Sequence, residues 1–321
     1  MPVSSTKNNK TEAEIKVMCA QAKLGAVARI TELTEGFFNV AYGITTMEGK
    51  EYILKIAPHP ATPVMTHEKN IMFSEVQSME LIRQNLDVPV AEILYYDDSR
   101  TVCNSDYFVM SRIPGQSFAS ITEQMTEKEI QAVNRSAGSY NREIHSLTHD
   151  RFGYFGQADK QGDNWFQVFR SMICDTLEDA RRMNVDLKIA DSDILRALDG
   201  EAEFFREVTE PRLVHWDIWA GNIFVQDGRI TGIIDFERCL WGDVLMEVGF
   251  RTYGLSDDFL SGYGTGKLTP EQLKRAEWYD IYLFLIASME CDYRQYETRD
   301  SYNWGTDMLR QWMERKSQPG V

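Results

Sequence analysis

Hydrophobic positions change their period several times along the chain. Between Thr11 and Lys23, Ile15, Met18, Cys19 and Ala22 share one face, which predicts an amphipathic helix docked on the domain after it; the preceding SSTKNNK reads as a frayed tail,. From Ala28 to Ala57 short runs of Val, Ile, Thr, Tyr and Phe are broken by Gly36 and by Met47-Glu48-Gly49-Lys50, the pattern of strand, loop, strand, turn and strand,. Between Thr66 and Asn85 the apolar positions step by three and four through Met72, Val76, Met79 and Ile82 to Leu86, a helical stripe that Asp87-Val88-Pro89 terminates,. Glu68 and Glu75, seven residues apart, are expected on the inward side of that one helix,. Two more strand-like runs, Ala91 to Tyr96 and Tyr107 to Ile113, end at Pro114-Gly115, where the sheet signals stop.

Beyond that point helical patterns dominate. Thr126 to Glu129 forms a capping box ahead of a face made by Ala137, Tyr140, Ile144 and Leu147, and Trp165 to Met183 and Ser192 to Val208 read as further helices,. Thr269-Pro270-Glu271-Gln272 supplies an N-cap, a proline at the first helical position and a capping glutamine; the helix it opens, reaching about Tyr293, is apolar nearly all round its middle and so is expected to be buried,. The expected class is α+β in two lobes, a small β-rich lobe over residues 1–111 and a larger helical lobe over residues 112–321,.

Composition narrows the function. Lys and Arg total 34 against 49 Asp and Glu, a net charge of −15, which disfavours binding to a nucleic-acid backbone,. The strongest apolar run, Ile281 to Met289, falls well short of the roughly 20 residues a membrane span needs,. The N-terminus lacks the apolar core of a secretory signal, so the expected location is the cytoplasm, with no membrane or nucleic-acid partner,. Five widely spaced cysteines read as reduced thiols, with no metal-binding cluster, and His145 and His149 lack a metal motif,.

The stretch richest in chemistry is LVHWDIWAGNIFVQDGRITGIIDFE, Leu213 to Glu237. His215 and Asp217 are followed by Asn222, then by a hairpin turning at Asp227-Gly228, then by Asp235 at the end of an apolar strand,. Phosphoryl transfer needs a carboxylate on the attacking hydroxyl and oxygen ligands that hold Mg²⁺ on the phosphates; Asp217, Asn222 and Asp235 supply these in order,. The hairpin returns residues 13 apart to one place.

This segment resembles the catalytic segment of the kinase-like aminoglycoside phosphotransferase family, and the likeness covers most of the chain,. By that resemblance the fold is protein-kinase-like. TEGFFNVAY, with Gly36 and Asn39, is similar to the family's nucleotide loop, and Tyr52-Ile53-Leu54-Lys55 to the strand bearing its phosphate-binding lysine. Glu75 is then the expected partner of Lys55, with Glu68 the other candidate, and Ser111 and Ile113 offer backbone groups to the adenine. The resemblance implies a nucleoside triphosphate, ATP or GTP, with Mg²⁺ on Asn222 and Asp235, Asp217 acting on the acceptor hydroxyl and His215 bracing the loop,. Two positions depart from the family pattern: Trp216 replaces a common glycine, and Gly242-Asp243-Val244 followed by Glu247 replaces Gly-Asp-Pro and an aspartate.

The implied acceptor is a small hydroxylated molecule, aminoglycoside or macrolide, with a metabolite of the choline, fructosamine or methylthioribose type, or a silent nucleotide binder, as the alternatives. Acidic residues at Asp175, Glu178, Asp179, Glu290, Asp292, Glu297 and Asp300 are candidates to hold a cationic acceptor, and solvated helix faces explain them equally well,. Trp278, Tyr279, Tyr293, Tyr296 and Trp304 could stack on a sugar, with core packing as the default,.

Overall fold

The structure, a computed structural model, describes residues 7–34 and 38–317. Helix α1 (Glu12–Gln21) begins with a reciprocal cap, the Thr11 hydroxyl accepting from the Glu14 amide and the Glu14 carboxylate from the Thr11 amide,. Strands β1 (Val27–Leu33), β2 (Val40–Thr46) and β3 (Glu51–Ile56) come next, then α2 (Ile71–Asn85), β4 (Ile93–Asp97) and β5 (Tyr107–Ser111). The five strands form one antiparallel sheet in the order β1-β2-β3-β5-β4.

Side chains alternate across that sheet. Tyr42, Ile44, Leu54, Ile56, Tyr107 and Val109 form a core with Ile15, Met18 and Cys19 of α1. Phe108 and Met110 belong instead to the main core, with Met72, Val76, Met79 and Ile82 of α2,. Lys55 lies between Leu54 and Ile56, so it faces the α2 side.

The helix expected from Thr66 to Asn85 is interrupted. A single 3₁₀ turn covers Thr66–Glu68, Lys69 is extended, Asn70 is left-handed at φ 57°, and α2 starts only at Ile71. Glu68 and Glu75 therefore do not share a helix. Polar contacts to the second lobe hold the turn against the periodic signal.

The second lobe contains β6 (Gln116–Ser117), α3 (Phe118–Ile121), α4 (Glu127–Ile144), β7 (Gly153–Tyr154), α5 (Trp165–Arg182) and α6 (Asp191–Gly200). After these come β8 (Arg212–Val214), β9 (Ile223–Gln226), β10 (Arg229–Ile233), β11 (Leu240–Gly242), α7 (Asp257–Tyr263), α8 (Pro270–Arg294) and α9 (Asp300–Ser317). Strands do continue past Pro114-Gly115, in two three-stranded sheets ordered β10-β9-β6 and β7-β11-β8. They are too short, at two to five residues, to print a period of two on the sequence,. The helix expected over Ser192 to Val208 ends at Gly200 and is followed by a 3₁₀ turn, Ala202–Phe205.

Both capping boxes read from the sequence are present, at Thr126 with Glu129 and at Thr269 with Gln272. The middle of α8 is buried nearly all round, every residue from Trp278 through Met289 except Leu283. No helix among the described residues is long and apolar enough to cross a membrane. All five cysteines are free, four of them buried.

Candidate active site

The site lies where β3 and α2 meet the β9–β10 hairpin. Lys55 Nζ donates to Glu75 Oε1 at 2.9 Å and Oε2 at 2.7 Å, and to Asp235 Oδ1 at 2.7 Å. Glu237 is a third carboxylate at 3.5 Å, and it accepts from Asn39 Nδ2 at 2.6 Å. Glu68 is elsewhere, in a buried ion pair with Arg294. Gly36 lies outside the described residues.

One ammonium thus faces three carboxylates. Burial alone would discharge Lys55, but Asp235, Glu75 and Glu237 outweigh it and hold the ammonium well above its ordinary range,. The excess negative charge falls on the most enclosed carboxyl: burial, with Asp235 and Glu237 nearby, pushes Glu75 up despite Lys55. Burial also acts to raise Asp235, but the contact with Lys55 outweighs it and keeps that group ionised below its usual range.

The catalytic-type loop is braced from behind. His215 Nδ1 accepts from the Asp217 amide at 3.1 Å, so the proton sits on Nε2, which donates to the Ile234 carbonyl at 2.9 Å,. Asn222 Nδ2 donates to the Asp217 carbonyl at 2.9 Å and to its Oδ2 at 3.3 Å, while the Ile234 amide donates to the Asn222 carbonyl at 3.0 Å. The hairpin therefore brings His215, Asp217, Asn222 and Asp235 together. Asp235 itself is left-handed, at φ 63° and ψ 52°, a conformation aspartate tolerates better than most residues,. Burial pushes Asp217 above its ordinary value although Arg238, Arg251 and His215 pull the other way.

Ser111 and Ile113 sit at the end of β5. The Ser111 amide donates to the Glu92 carbonyl at 2.9 Å, and its hydroxyl accepts from the Glu92 amide at 2.9 Å. Ile113 packs over Gly232, where a Cβ would collide with the isoleucine side chain.

Three functional neighbours have only a faint signal in the sequence, or none. Glu247 accepts from the amides of Trp216 and Ile218, each at 2.9 Å, and clamps the loop on both sides of Asp217; its signal is its place after Gly242-Asp243. Arg251 donates to the Trp216 carbonyl at 3.1 Å, and Arg238 lies 5.7 Å from the Trp216 ring centroid. Trp216 is left-handed at φ 70° and points inward, stacked on Tyr282 at 5.2 Å. It fills the core behind the loop.

Most of the acidic candidates for a cationic acceptor are already paired. Asp175 meets Lys160, Glu178 meets Arg181, Asp179 meets Arg182, Asp292 meets Arg299 and Glu290 meets Arg238. Trp278, Tyr279 and Tyr293 are buried, whereas Trp304 is 43% exposed beside Tyr253 at 48%.

The sequence model of the phosphotransferase enzyme family, APH, matches residues 29–278, which includes Lys55, Glu75, His215, Asp217, Asn222, Asp235 and Glu247. The chain belongs to that family. Among solved members with aminoglycoside substrates in view, a thermostable variant of aminoglycoside phosphotransferase APH(4)-Ia, in a ternary complex with ADP and hygromycin B, superposes with a TM-score of 0.66 at 20% identity, covering 97% of this chain and 100% of the other. The fold is thus the kinase-like α+β fold of these phosphotransferases. The hygromycin-B 4-O-kinase of Escherichia coli is 23% identical over 233 residues, 70% of this chain and 62% of that protein. The Staphylococcus aureus protein named probable ketoamine kinase is 29% identical over 133 residues, 39% of this chain and 44% of that protein. The chain spans between 24% and 62% of the length of the curated relatives it matches.

Proposed function

We propose that this family member is a Mg²⁺-dependent phosphotransferase that moves the terminal phosphoryl group of ATP or GTP to a hydroxyl of a small molecule. The observation that carries the reading is the assembled set: Lys55 held by Glu75 and Asp235, with Asn222 bonded to Asp217 at the next turn of the chain. Residues 1–111 are the nucleotide-binding lobe and residues 112–321 the catalytic and acceptor lobe.

The residues suit the metal. Three carboxylates around one ammonium leave an excess of negative charge, and the Asp235 side chain, 40% exposed beside an 8% exposed Lys55, has oxygen to spare. Among the described residues no three His, Cys, Asp or Glu side chains form a complete metal cage. Mg²⁺ suits such a place, because it takes one or two protein oxygens and fills the rest with phosphate and water. Asn222 and Asp235 would hold it, and when bound it supplies neutralisation of charge on the phosphate oxygens.

Lys55 binds phosphate, fixed by Glu75. Gly36 and Asn39 belong to the loop over the nucleotide, and the Ser111 carbonyl and Ile113 amide face the base. Asp217 orients the acceptor hydroxyl and receives its proton, a role its raised basicity favours,. His215 holds the loop through Ile234 and the Asp217 amide and takes no proton from the acceptor.

For the acceptor we favour an antibiotic, aminoglycoside or macrolide, supported by the hygromycin-B 4-O-kinase relative. A metabolite kinase is the second reading, supported by the ketoamine kinase relative. Coupled nucleotide consumption with Mg²⁺, screened against aminoglycosides, macrolides, choline and fructosamines, tests both. Asp217→Ala is expected to remove most acceptor-dependent turnover and to leave nucleotide binding largely intact; turnover that survives it would falsify the role of Asp217.

A further inference from the structure

The turn that feeds α2 is held largely by the second lobe. Thr66 donates from its amide at 2.6 Å and from its hydroxyl at 2.8 Å to the two oxygens of Asp179 on α5. Gln157 Nε2 donates to the Thr66 carbonyl at 2.9 Å, and Asn70 Nδ2 donates to the Gly156 carbonyl at 3.0 Å. Glu68 takes Arg294, from the last turn of α8, in an ion pair whose side chains are 3% and 4% exposed. The same guanidinium lies 4.0 Å from the ring centroid of Phe38, at the near end of the expected nucleotide loop. One side chain of the second lobe therefore reaches both the start of the helix that carries Glu75 and the entry to β2.

The Arg294 guanidinium and the Met65 amide outweigh burial and hold the Glu68 carboxyl below its ordinary value. Buried ion pairs add little net stability, since desolvation consumes most of the Coulombic gain, but they define geometry sharply. On the reading that Lys55 and Glu75 form the nucleotide site, we infer that Arg294 is a positioning residue for it. Through Glu68 it sets the start of α2, and with it the approach of Glu75 to Lys55. Through Phe38 it sets the end of the loop.

The test compares Arg294→Met, Arg294→Lys and the double variant Glu68→Leu/Arg294→Met by thermal unfolding, by amide hydrogen exchange in α2 and by calorimetric binding of Mg·ATP. Arg294→Met should melt early, because it leaves Glu68 buried without its cation. The double variant should regain the wild-type melting temperature, yet exchange about tenfold faster in α2 and bind Mg·ATP about tenfold more weakly, roughly 1.4 kcal/mol. Arg294→Lys, which keeps the charge, should recover part of that affinity. A double variant within twofold of wild type in both exchange and binding would reduce the pair to a structural contact and overturn the inference. Should the double variant not melt cooperatively, Arg294→Lys decides: α2 exchange and binding both within twofold of wild type overturn the inference, and a clear loss in both supports it. If the wild type binds neither Mg·ATP nor Mg·GTP, the phosphotransferase reading fails, while the exchange comparison still decides whether Arg294 positions α2.

Discussion

Glu247 Oε2 accepts a hydrogen bond from the Trp216 amide at 2.9 Å, and its Oε1 takes the amides of Ile218 and Val248, both also at 2.9 Å. Asp217 sits between two of these anchored amides. In Glu247→Gln one amide would meet an NH₂ group instead of an oxygen, at a cost of roughly 1.5–3 kcal/mol for a charged acceptor. The loop would then hold Asp217 less well. Steady-state kinetics should give a kcat lower by about tenfold or more with the nucleotide KM nearly unchanged, the signature of an interaction needed in the transition state. A rise in KM at constant kcat would show that Glu247 serves nucleotide binding instead.

The crowding of Glu75, Asp235 and Glu237 around Lys55 predicts a response to cations alone. Mg²⁺ without nucleotide should raise the melting temperature of the wild type by linkage, and Asp235→Asn, which removes a proposed ligand and part of the excess charge, should abolish most of that rise. Equal shifts in the two proteins would place the cation elsewhere.

Lys55→Ala should weaken Mg·ATP binding by about tenfold or more, because phosphate charge loses its counter-charge and three carboxylates are left facing it. Glu75→Gln should cost less. Its amide oxygen can still accept from the Lys55 ammonium, so only one of the two hydrogen bonds is lost. Calorimetric titration of the two variants side by side checks the order.

Asp280 accepts from the Thr252 amide and hydroxyl through one oxygen, and burial raises its carboxyl to about 6 from an ordinary 3.8. The folded protein therefore takes up this proton before the unfolded chain does. The stabilisation is complete below about pH 4 and is lost as pH rises through 6, at about 1.4 kcal/mol per pH unit between the two values. His67 and His145, lowered by burial to about 3, act in the opposite direction over the same range, losing stability as pH falls below 6.5. The stability difference between wild type and Asp280→Asn cancels the histidines. Urea unfolding at pH 4 and pH 7 should show the wild type losing ground to Asp280→Asn as pH rises, and a flat difference would reject the raised value.

Gly138 on α4 lies against the backbone of α7, where an added Cβ would run into the Phe259 carbonyl. Backbone cannot step aside as a side chain can, so Gly138→Ala should destabilise by about 1–3 kcal/mol despite the better helix propensity of alanine. Gly200→Ala, at the end of α6 with open space around the new methyl, is the control and should be neutral or stabilising. Denaturant midpoints of the pair measure the difference.

Elements with long, regular periods are legible in the sequence: α1, the three opening strands, α4 and α8 with its cap each lie where the apolar spacing puts them. The capping boxes at Thr126 and Thr269 are local chemistry and need no tertiary partner,. The break at Asn70 is not legible, because Met72, Val76, Met79 and Ile82 keep helical register whether or not a turn further back is helical. Its cause is the grip of Asp179, Gln157 and Arg294, each 88 or more positions from the residue it holds. The strands of the second lobe leave no pattern because two to five residues are too few to display a period of two.

In the candidate site the division is the same. Asp217, Asn222 and Asp235 can be named from one stretch of sequence, because a hairpin brings its own two ends together. Glu75 and Glu68 cannot be separated by spacing alone; only the side of the sheet that Lys55 faces, and the capture of Glu68 by Arg294, assign them different partners. The order of elements, the capped helices and the chemical groups between Leu213 and Glu237 follow from residues a few positions apart. The tertiary structure alone decided which charges meet in the interior, since an ion pair sheltered from water forms between groups that packing brings together, whatever their distance along the chain.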